Sequence, residues 1–458
     1  MFFDRENELK YLDSKMNSTG AELLIFWGRR RIGKTFLLKE FCERKKGVFL
    51  LSTTSSSLDN LEIFSQELAN HFNDERLRLH PLTAWDEFFL YLDEKIQQRT
   101  VVVIDEYPYL VENSPGISSI LQKHWDMTLQ YNSNLMLILN GSAISMMERE
   151  TLEYRSPLYG RRTGQWFLEA LDVISANEFF GYKYLTRAIE IYILTGGIPF
   201  YCKLLSQKMD IYRIIEKKIL SKGEVLFEEV DFLLRQEFKT PRSYFPILKA
   251  IALGAHKFGE ISSRTGYDKS NLTKYISSLE KLKLIRKETP VLALQPAKSR
   301  RTLYFINDNF IDFWFNFVFP YKNDLEFGKT KKVMNQFIIP RFDHYVSQKV
   351  EPVILDLLKR DFFKLGIKFK KLGRYWDKNT EIDVWGETED DRLIIGEIKW
   401  KGTVCKKDVY FSLTNKADDL KLRGVTFIII SKSGFAKNLQ AMRNEKLILI
   451  DLSRYKLY

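Results

Sequence analysis

The segment Gly28-Arg29-Arg30-Arg31-Ile32-Gly33-Lys34-Thr35 constrains this chain more than any other, because it follows the apolar run LLIFW and leads straight into the helical stretch TFLLKEFCE. A glycine-bearing turn between a strand and a helix aims backbone N–H groups and a helix N-terminus at one point, which suits phosphate oxygens. The turn is expected to cradle ATP. Lys34 would meet the β- and γ-phosphates, the Thr35 hydroxyl would ligate Mg2+, and the loop from Gly28 to Gly33, with Phe36 just beyond, would complete the nucleotide contacts.

Short apolar runs alternate with helical stretches from residue 21 to about 170: AELLIFWG, GVFLLS, TVVVID, NLMLILNGS and QWFLEAL. This alternation predicts a parallel sheet with helices on both faces, over residues 1–171. The strand VVVIDEY ends in Asp105, placed to hold Mg2+, and Glu106, placed as a general base. The strand NLMLILNGS ends in Asn140 and Ser142, either of which would sense the γ-phosphate or position water, unless both cap a loop. Arg161 and Arg162, in SPLYGRRTG, would stabilise phosphoryl transfer within the chain or from a neighbouring copy, or else are plain surface arginines. A homo-oligomer is the corollary of the neighbouring-copy reading.

Residues 172–240 read as helical, interrupted by TGGIPFY, and predict a helical lid. Residues 241–325 read as three helices and two strand-like segments, the pattern of a winged helix. Between Arg242 and Arg301 there are 13 Lys/Arg against 4 Asp/Glu, which holds most of the chain's net charge of +12. Such a segment favours a polyanion such as DNA. The second helix of the pair, from about Lys269 to Lys283, has Leu272, Ile276 and Leu279 at core spacing. Its other face offers Lys269, Ser270, Asn271, Lys274 and Tyr275 to a major groove. Arg286, Lys287, Lys298, Arg300 and Arg301 would decorate the wing. Spacers and protein-binding modules use the same fold, so that alternative stays open.

A second α/β pattern fills residues 326–458, with strands IKFKKLGRYW, TEIDVWG, RLIIGEIKW, VTFIIIS and LILID. Asp383 lies in one strand, and Glu397 and Lys399 share a face of the next. Two hard oxygen ligands on adjacent strands suit Mg2+, and a neighbouring lysine suits a phosphate or its attacking water. A partner-binding scaffold with vestigial carboxylates is the alternative.

Arg5-Glu6, the phosphate loop, DEYPYL, LNGS, LYGRR and GGIPFY together resemble the archaeal-type ATPase family of the AAA+/STAND lineage, over the first half of the chain. The resemblance implies that Pro199 and the Arg5 region border the adenine. The stretch from about 225 is similar to the module fused to such ATPases, which carries a PD-(D/E)XK nuclease-like domain. That likeness implies a first-helix acid, Glu351, or Asp343 if Pro352 shifts the helix. The expected fold class is thus α/β: a P-loop NTPase parallel sheet with a helical lid, a winged-helix domain and a carboxyl-terminal restriction-endonuclease-like α/β domain.

Only three cysteines occur, widely spaced, which points to a reducing compartment rather than a disulfide framework or a CxxC metal pair. No apolar run approaches the roughly 18 residues of a membrane span, and no basic-then-apolar leader opens the sequence. A cytoplasmic protein without a membrane partner is the expectation.

Overall fold

In the computed structural model, which describes residues 5–206, 209–238, 240–292 and 301–457, the five apolar runs of the first half become β1 (Glu22–Trp27), β2 (Val48–Leu51), β3 (Thr100–Asp105), β4 (Leu135–Gly141) and β5 (Gly164–Phe167). They pair in parallel in the order β2-β3-β4-β1-β5. Every residue of β1, β3 and β4 is buried, as a sheet covered on both faces by helices requires. Because β4 lies between β1 and β3, the carboxyl ends of these three strands meet. Asn140 is in register with Phe26 of β1, and Ile104, next to Asp105, is in register with Leu139.

This sheet belongs to one of two compact units, Met1–Ala170 with Ile198–Phe200; the other comprises Leu171–Gly197 with Tyr201–Tyr458. The second unit begins with helices that include Val173–Asn177 and Leu185–Thr195. Next come the helices Pro241–Ala252, Phe258–Thr265 and Lys269–Lys281, then the antiparallel pair β6 (Ile285–Glu288) and β7 (Leu303–Ile306). Gly266 ends the second of these helices with φ of 72°, a left-handed conformation that glycine adopts without a steric penalty. Asp268 caps the third by accepting hydrogen bonds from the N–H groups of Ser270 and Asn271.

The remaining residues form β8 (Phe369–Trp376), β9 (Glu381–Thr388), β10 (Leu393–Lys399), β11 (Thr426–Ser431) and β12 (Leu447–Asp451), in the order β12-β11-β10-β9-β8. The first three are an antiparallel meander, and β11 and β12 run parallel to β10. The helix Ile339–Lys359 continues through Pro352. The helix Lys407–Asp419 turns Leu413 and Ala417 into the core shared with Ile395 and Ile429. Within this unit, residues 183–185 pair with residues 455–457: Leu185 N–H donates to Tyr455 O at 3.0 Å and Leu457 N–H to Lys183 O at 2.9 Å. The Lys432 ammonium reaches Glu190 at 3.1 Å and Asp343 at 2.7 Å. Among the described residues no single helix is long and apolar enough to cross a membrane, and all three cysteines are buried free thiols.

Candidate functional site

The chain leaves β1 at Trp27 and turns through residues 28–33 into the helix Lys34–Arg44. A Cβ on Gly28 would lie 2.6 Å from the Leu168 carbonyl oxygen, so only glycine passes there. Gly33 has φ of 91° and Arg31, unusually for a non-glycine residue, 69°, which bends the loop around one point. The Lys34 ammonium donates to the carbonyls of Gly28 and Arg29, both at 2.9 Å. Ile32 is buried, Arg29 and Arg30 are half-buried, and Phe36 is exposed on the outer side of the helix. The loop is braced from two directions. Arg5 donates to Ile32 O at 3.1 Å, and the Arg31 guanidinium lies 4.5 Å from the centre of the Phe200 ring. The nearest heavy atom to a Cβ on Gly33 would be Pro199 Cγ, at 3.9 Å. Arg5 and Pro199 thus flank the loop, and Phe200, which sequence reasoning passed over, stacks on it.

The Thr35 hydroxyl and the Asn140 amide both hydrogen-bond the Asp105 carboxylate. Burial raises that carboxyl above its usual range, while the two hydrogen bonds favour its charged form. Asp105 Oδ2 and Asn140 Oδ1 are buried without a hydrogen-bond partner. Glu106 has φ of 51° at the start of the next helix, and its carboxylate accepts from Ser142 Oγ at 2.9 and 2.8 Å. The two polar residues ending β4 therefore divide their work. Asn140 fixes Asp105, and Ser142 fixes Glu106.

Arg161 and Arg162 sit elsewhere. Thr163 N–H donates to Leu23 O, whereas Leu168 N–H donates to Trp27 O, so both arginines stand at the amino end of β1 and the phosphate loop at its carboxyl end. At roughly 3.3 Å per strand residue, the separation exceeds an arginine's reach. Of the alternatives the sequence left open, the neighbouring copy and plain surface arginines remain. Arg161 is held by Asp126 at 2.8 and 2.6 Å, and Arg162 donates to Thr151 O at 3.3 Å.

In the second unit, the register of β9 and β10, with Val384 opposite Gly396, sets Asp383 across from Glu397. Asp383 Oδ2 accepts from Ile398 N–H at 2.9 Å. Burial, then the Glu397 charge, pushes the Asp383 carboxyl up. Lys399 reaches Glu397 Oε1 at 2.5 Å, and Lys416, from the helix Lys407–Asp419, reaches Oε2 at 2.8 Å. Burial also raises Glu351, whose charge Asp383 opposes and Arg374 favours. Glu351 is therefore the acid beside this cluster, while Asp343 is bound to Lys432. Arg374, on β8, joins Glu351 at 2.7 Å, Glu381 at 2.6 Å and Glu288 of β6 at 3.2 Å. Arg374→Ala leaves three carboxylates facing one another without their cation, and should cost about 3 kcal/mol in urea unfolding.

The exposed face of the helix Lys269–Lys281 carries Lys269, Ser270, Asn271 and Lys274, with Leu272, Ile276 and Leu279 buried behind it. Lys287 is exposed and pairs with Glu280 at 3.1 Å, and Arg301 is exposed. Lys298 and Arg300 lie outside the described residues. Arg286 of the expected wing is tied to the hairpin itself. Its guanidinium donates to Ile306 O at 3.1 Å and lies 5.1 Å from the Phe305 ring centre, with the side chain half-buried. Strand alternation puts it on the face it shares with Glu288, which Arg374 of β8 covers.

The model of an ATPase domain found predominantly in Archaea matches residues 2–205, and that of archaeal and bacterial proteins of unknown function matches residues 314–410. An uncharacterized protein of Methanocaldococcus jannaschii, MJECL04, is 33% identical over 464 residues, which span 99% of this chain and 100% of that protein. The uncharacterized ATP-binding protein MJ0423 of the same organism is 52% identical over 46 residues, 10% of this chain and 78% of that one. Among solved structures, the Walker-type ATPase PABY2304 of Pyrococcus abyssi superposes with a TM-score of 0.53 at 23% identity, covering 69% of this chain and 96% of that one. The last likeness is one of fold.

Proposed function

Because this chain belongs to the family of predominantly archaeal P-loop ATPases, we propose that it couples ATP binding and hydrolysis to engagement of DNA through a winged helix and to metal-dependent DNA cleavage at a nuclease-like site. In the first unit Lys34 and the loop N–H groups bind the phosphates, and Thr35 and Asp105 hold Mg2+. The ion supplies charge stabilisation during phosphoryl transfer. The buried, unpartnered oxygens of Asp105 and Asn140 suit an ion and its hydration shell, since polar atoms left unmatched in the interior are costly. Glu106 takes the proton of the attacking water, with Ser142 restraining its carboxylate. Arg161 and Arg162 serve the site of a neighbouring copy in a homo-oligomer.

In the second unit the three helices and the β6–β7 hairpin follow the winged-helix order, and the sheet β12-β11-β10-β9-β8 follows a helix, as in PD-(D/E)XK nucleases. Asp383 and Glu397, facing each other across adjacent strands, fit Mg2+ or Mn2+, which commonly take one or two carboxylates and keep water in their other positions. Bound there, such an ion stabilises charge on the phosphate, while Lys399 contacts that phosphate or its water.

The observation that carries the DNA reading is the exposed basic and amide-bearing face of the helix Lys269–Lys281. Replacing Lys269 and Lys274 together with alanine should weaken DNA binding on all sequences, and the salt slope should fall by about two counterions. Filter binding at two salt concentrations measures both quantities. An unchanged affinity and slope would remove the DNA site from this helix. A scaffold reading of the last domain draws on a different observation: among the described residues no three His, Cys, Asp or Glu side chains converge as a metal set.

A further inference from the structure

Glu106 stands in left-handed backbone, with φ of 51°, which a residue other than glycine adopts only where its surroundings hold it there. Ser142 restrains its carboxylate, but a hydrogen bond at the far end of a flexible side chain does not set the backbone. The next residue does. Tyr107 is buried, and its hydroxyl lies 2.9 Å from Ser118 Oγ, on the helix Ile117–Met127. Ser118 in turn donates to Glu150 Oε2 at 3.0 Å. A serine hydroxyl has one proton, and the Glu150 carboxylate takes it, so the Tyr107 hydroxyl is the donor to Ser118. The hydrogen bonds thus run in one direction, from Tyr107 through Ser118 to Glu150, and the carboxylate is their anchor. Arg149 Nε donates to the other oxygen, Glu150 Oε1, at 3.0 Å.

Glu150 comes from the same connection as Ser142. Beyond β4 the chain forms the helix Ile144–Met147 and then the π-helix Glu148–Leu152, a wide turn that is rare and tends to occur at functional sites. This connection lies hard against the helix Tyr107–Asn113: a Cβ on Gly141 would stand 2.6 Å from both Met147 Sδ and Pro108 Cδ. One stretch of chain after β4 therefore grips Glu106 twice, Ser142 at the carboxylate and Glu150, through Ser118 and Tyr107, at the backbone. We infer that Glu150 is a positioning residue for ATP hydrolysis, whose carboxylate fixes the left-handed turn that aims Glu106 at the attacking water. The inference rests on Glu106 as the general base and adds what places it. Glu150 acts only through its neighbours, so its loss should slow the proton transfer without weakening the grip on the phosphates, which Lys34 and the loop supply.

The test is ATP hydrolysis by the full-length chain, read beside its affinity for a fluorescent ATP analogue. Glu150→Ala should lower kcat by about 10-fold, since a displacement of about 1 Å at a reacting group can cost about 10²-fold, while analogue affinity stays within about twofold of wild type. Glu150→Gln, whose amide oxygen still accepts from Ser118, should restore most of the turnover. Tyr107→Phe keeps the buried ring and removes only the hydroxyl. It should lower kcat as Glu150→Ala does, and it carries the test alone if Glu150→Ala fails to fold. In a Glu106→Gln chain, Glu150→Ala should slow the residual single-turnover hydrolysis no further, because the group it positions is already gone. Wild-type kcat in both Glu150→Ala and Tyr107→Phe, a loss of analogue affinity that matches the loss of turnover, or a further fall in the Glu106→Gln background would each overturn the role of Glu150. Where Glu106→Gln alone stops hydrolysis, those results leave Glu106 as the base. Wild-type hydrolysis by Glu106→Gln overturns that assignment, and the inference with it.

Discussion

ATP hydrolysis should fall by about 10³-fold when Lys34 is replaced by alanine, because charge stabilisation at the transferred phosphoryl group is among the largest contributions in such sites. Lys34 also ties the loop together through the carbonyls of Gly28 and Arg29, so the variant should lose nucleotide affinity as well as turnover. Glu106→Gln separates the two effects. The amide keeps the shape of the carboxylate and a partner for Ser142, but takes no proton from water. Binding of a fluorescent ATP analogue should survive while phosphate release stops. Hydrolysis at the wild-type rate by Glu106→Gln would move the base to another residue.

The second large effect is expected in the other unit. On the nuclease-like reading, Asp383→Ala or Glu397→Ala should each reduce metal-dependent DNA cleavage by about 10³-fold, since either change would remove half of the proposed two-carboxylate metal site. Lys399→Ala should cost less, because it removes a single point charge and leaves the ion. ATP hydrolysis is the internal control, and all three variants should retain it. Full-length protein with ATP and Mg2+ or Mn2+, offered linear, single-stranded and branched DNA, is the proper assay. Absence of cleavage on every substrate would favour the scaffold reading instead.

The local geometry of the candidate ATP site could be read in advance. Gly28, Gly33, Lys34 and Thr35 lie on one continuous turn, and a strand ending in Asp105 and Glu106 announces itself by the change from apolar to acidic. The division of labour between Asn140 and Ser142 could not be read, because it depends on β4 lying between β1 and β3. Strand order is a property of the folded sheet. For the same reason Arg161 and Arg162 looked available to the phosphates of their own chain until the register of β5 against β1 put them at the far edge. Phe200 left a faint signal, an aromatic residue directly after the Gly-Gly-Ile-Pro break, but its partner Arg31 lies far back in the sequence. Arg374 and Lys416 left none, since each pairs with carboxylates brought to it by other elements. The partners of Arg286 were hidden for a related reason. A cation on a two-residue repeat has even odds of facing inward, and the strand covering it comes some 90 positions later.

The pairing of residues 183–185 with residues 455–457 bears on how the protein is made. A ribosome releases the chain from its amino end, and units tend to fold as they become complete. All five strands of the ATPase sheet have been synthesised by Phe167, and Ile198–Phe200 completes that unit soon afterwards. The second unit starts at Leu171 but cannot finish until the partner of residues 183–185, some 270 positions further along the chain, has emerged. Contacts of such long sequence separation are slow to form. The helices between Leu171 and Gly197 must therefore wait, incompletely covered, while that intervening stretch is made. A ribosome-arrest series should show the nucleotide-binding unit resisting protease early, and the segment around Leu185 becoming resistant only once Leu457 has cleared the exit tunnel.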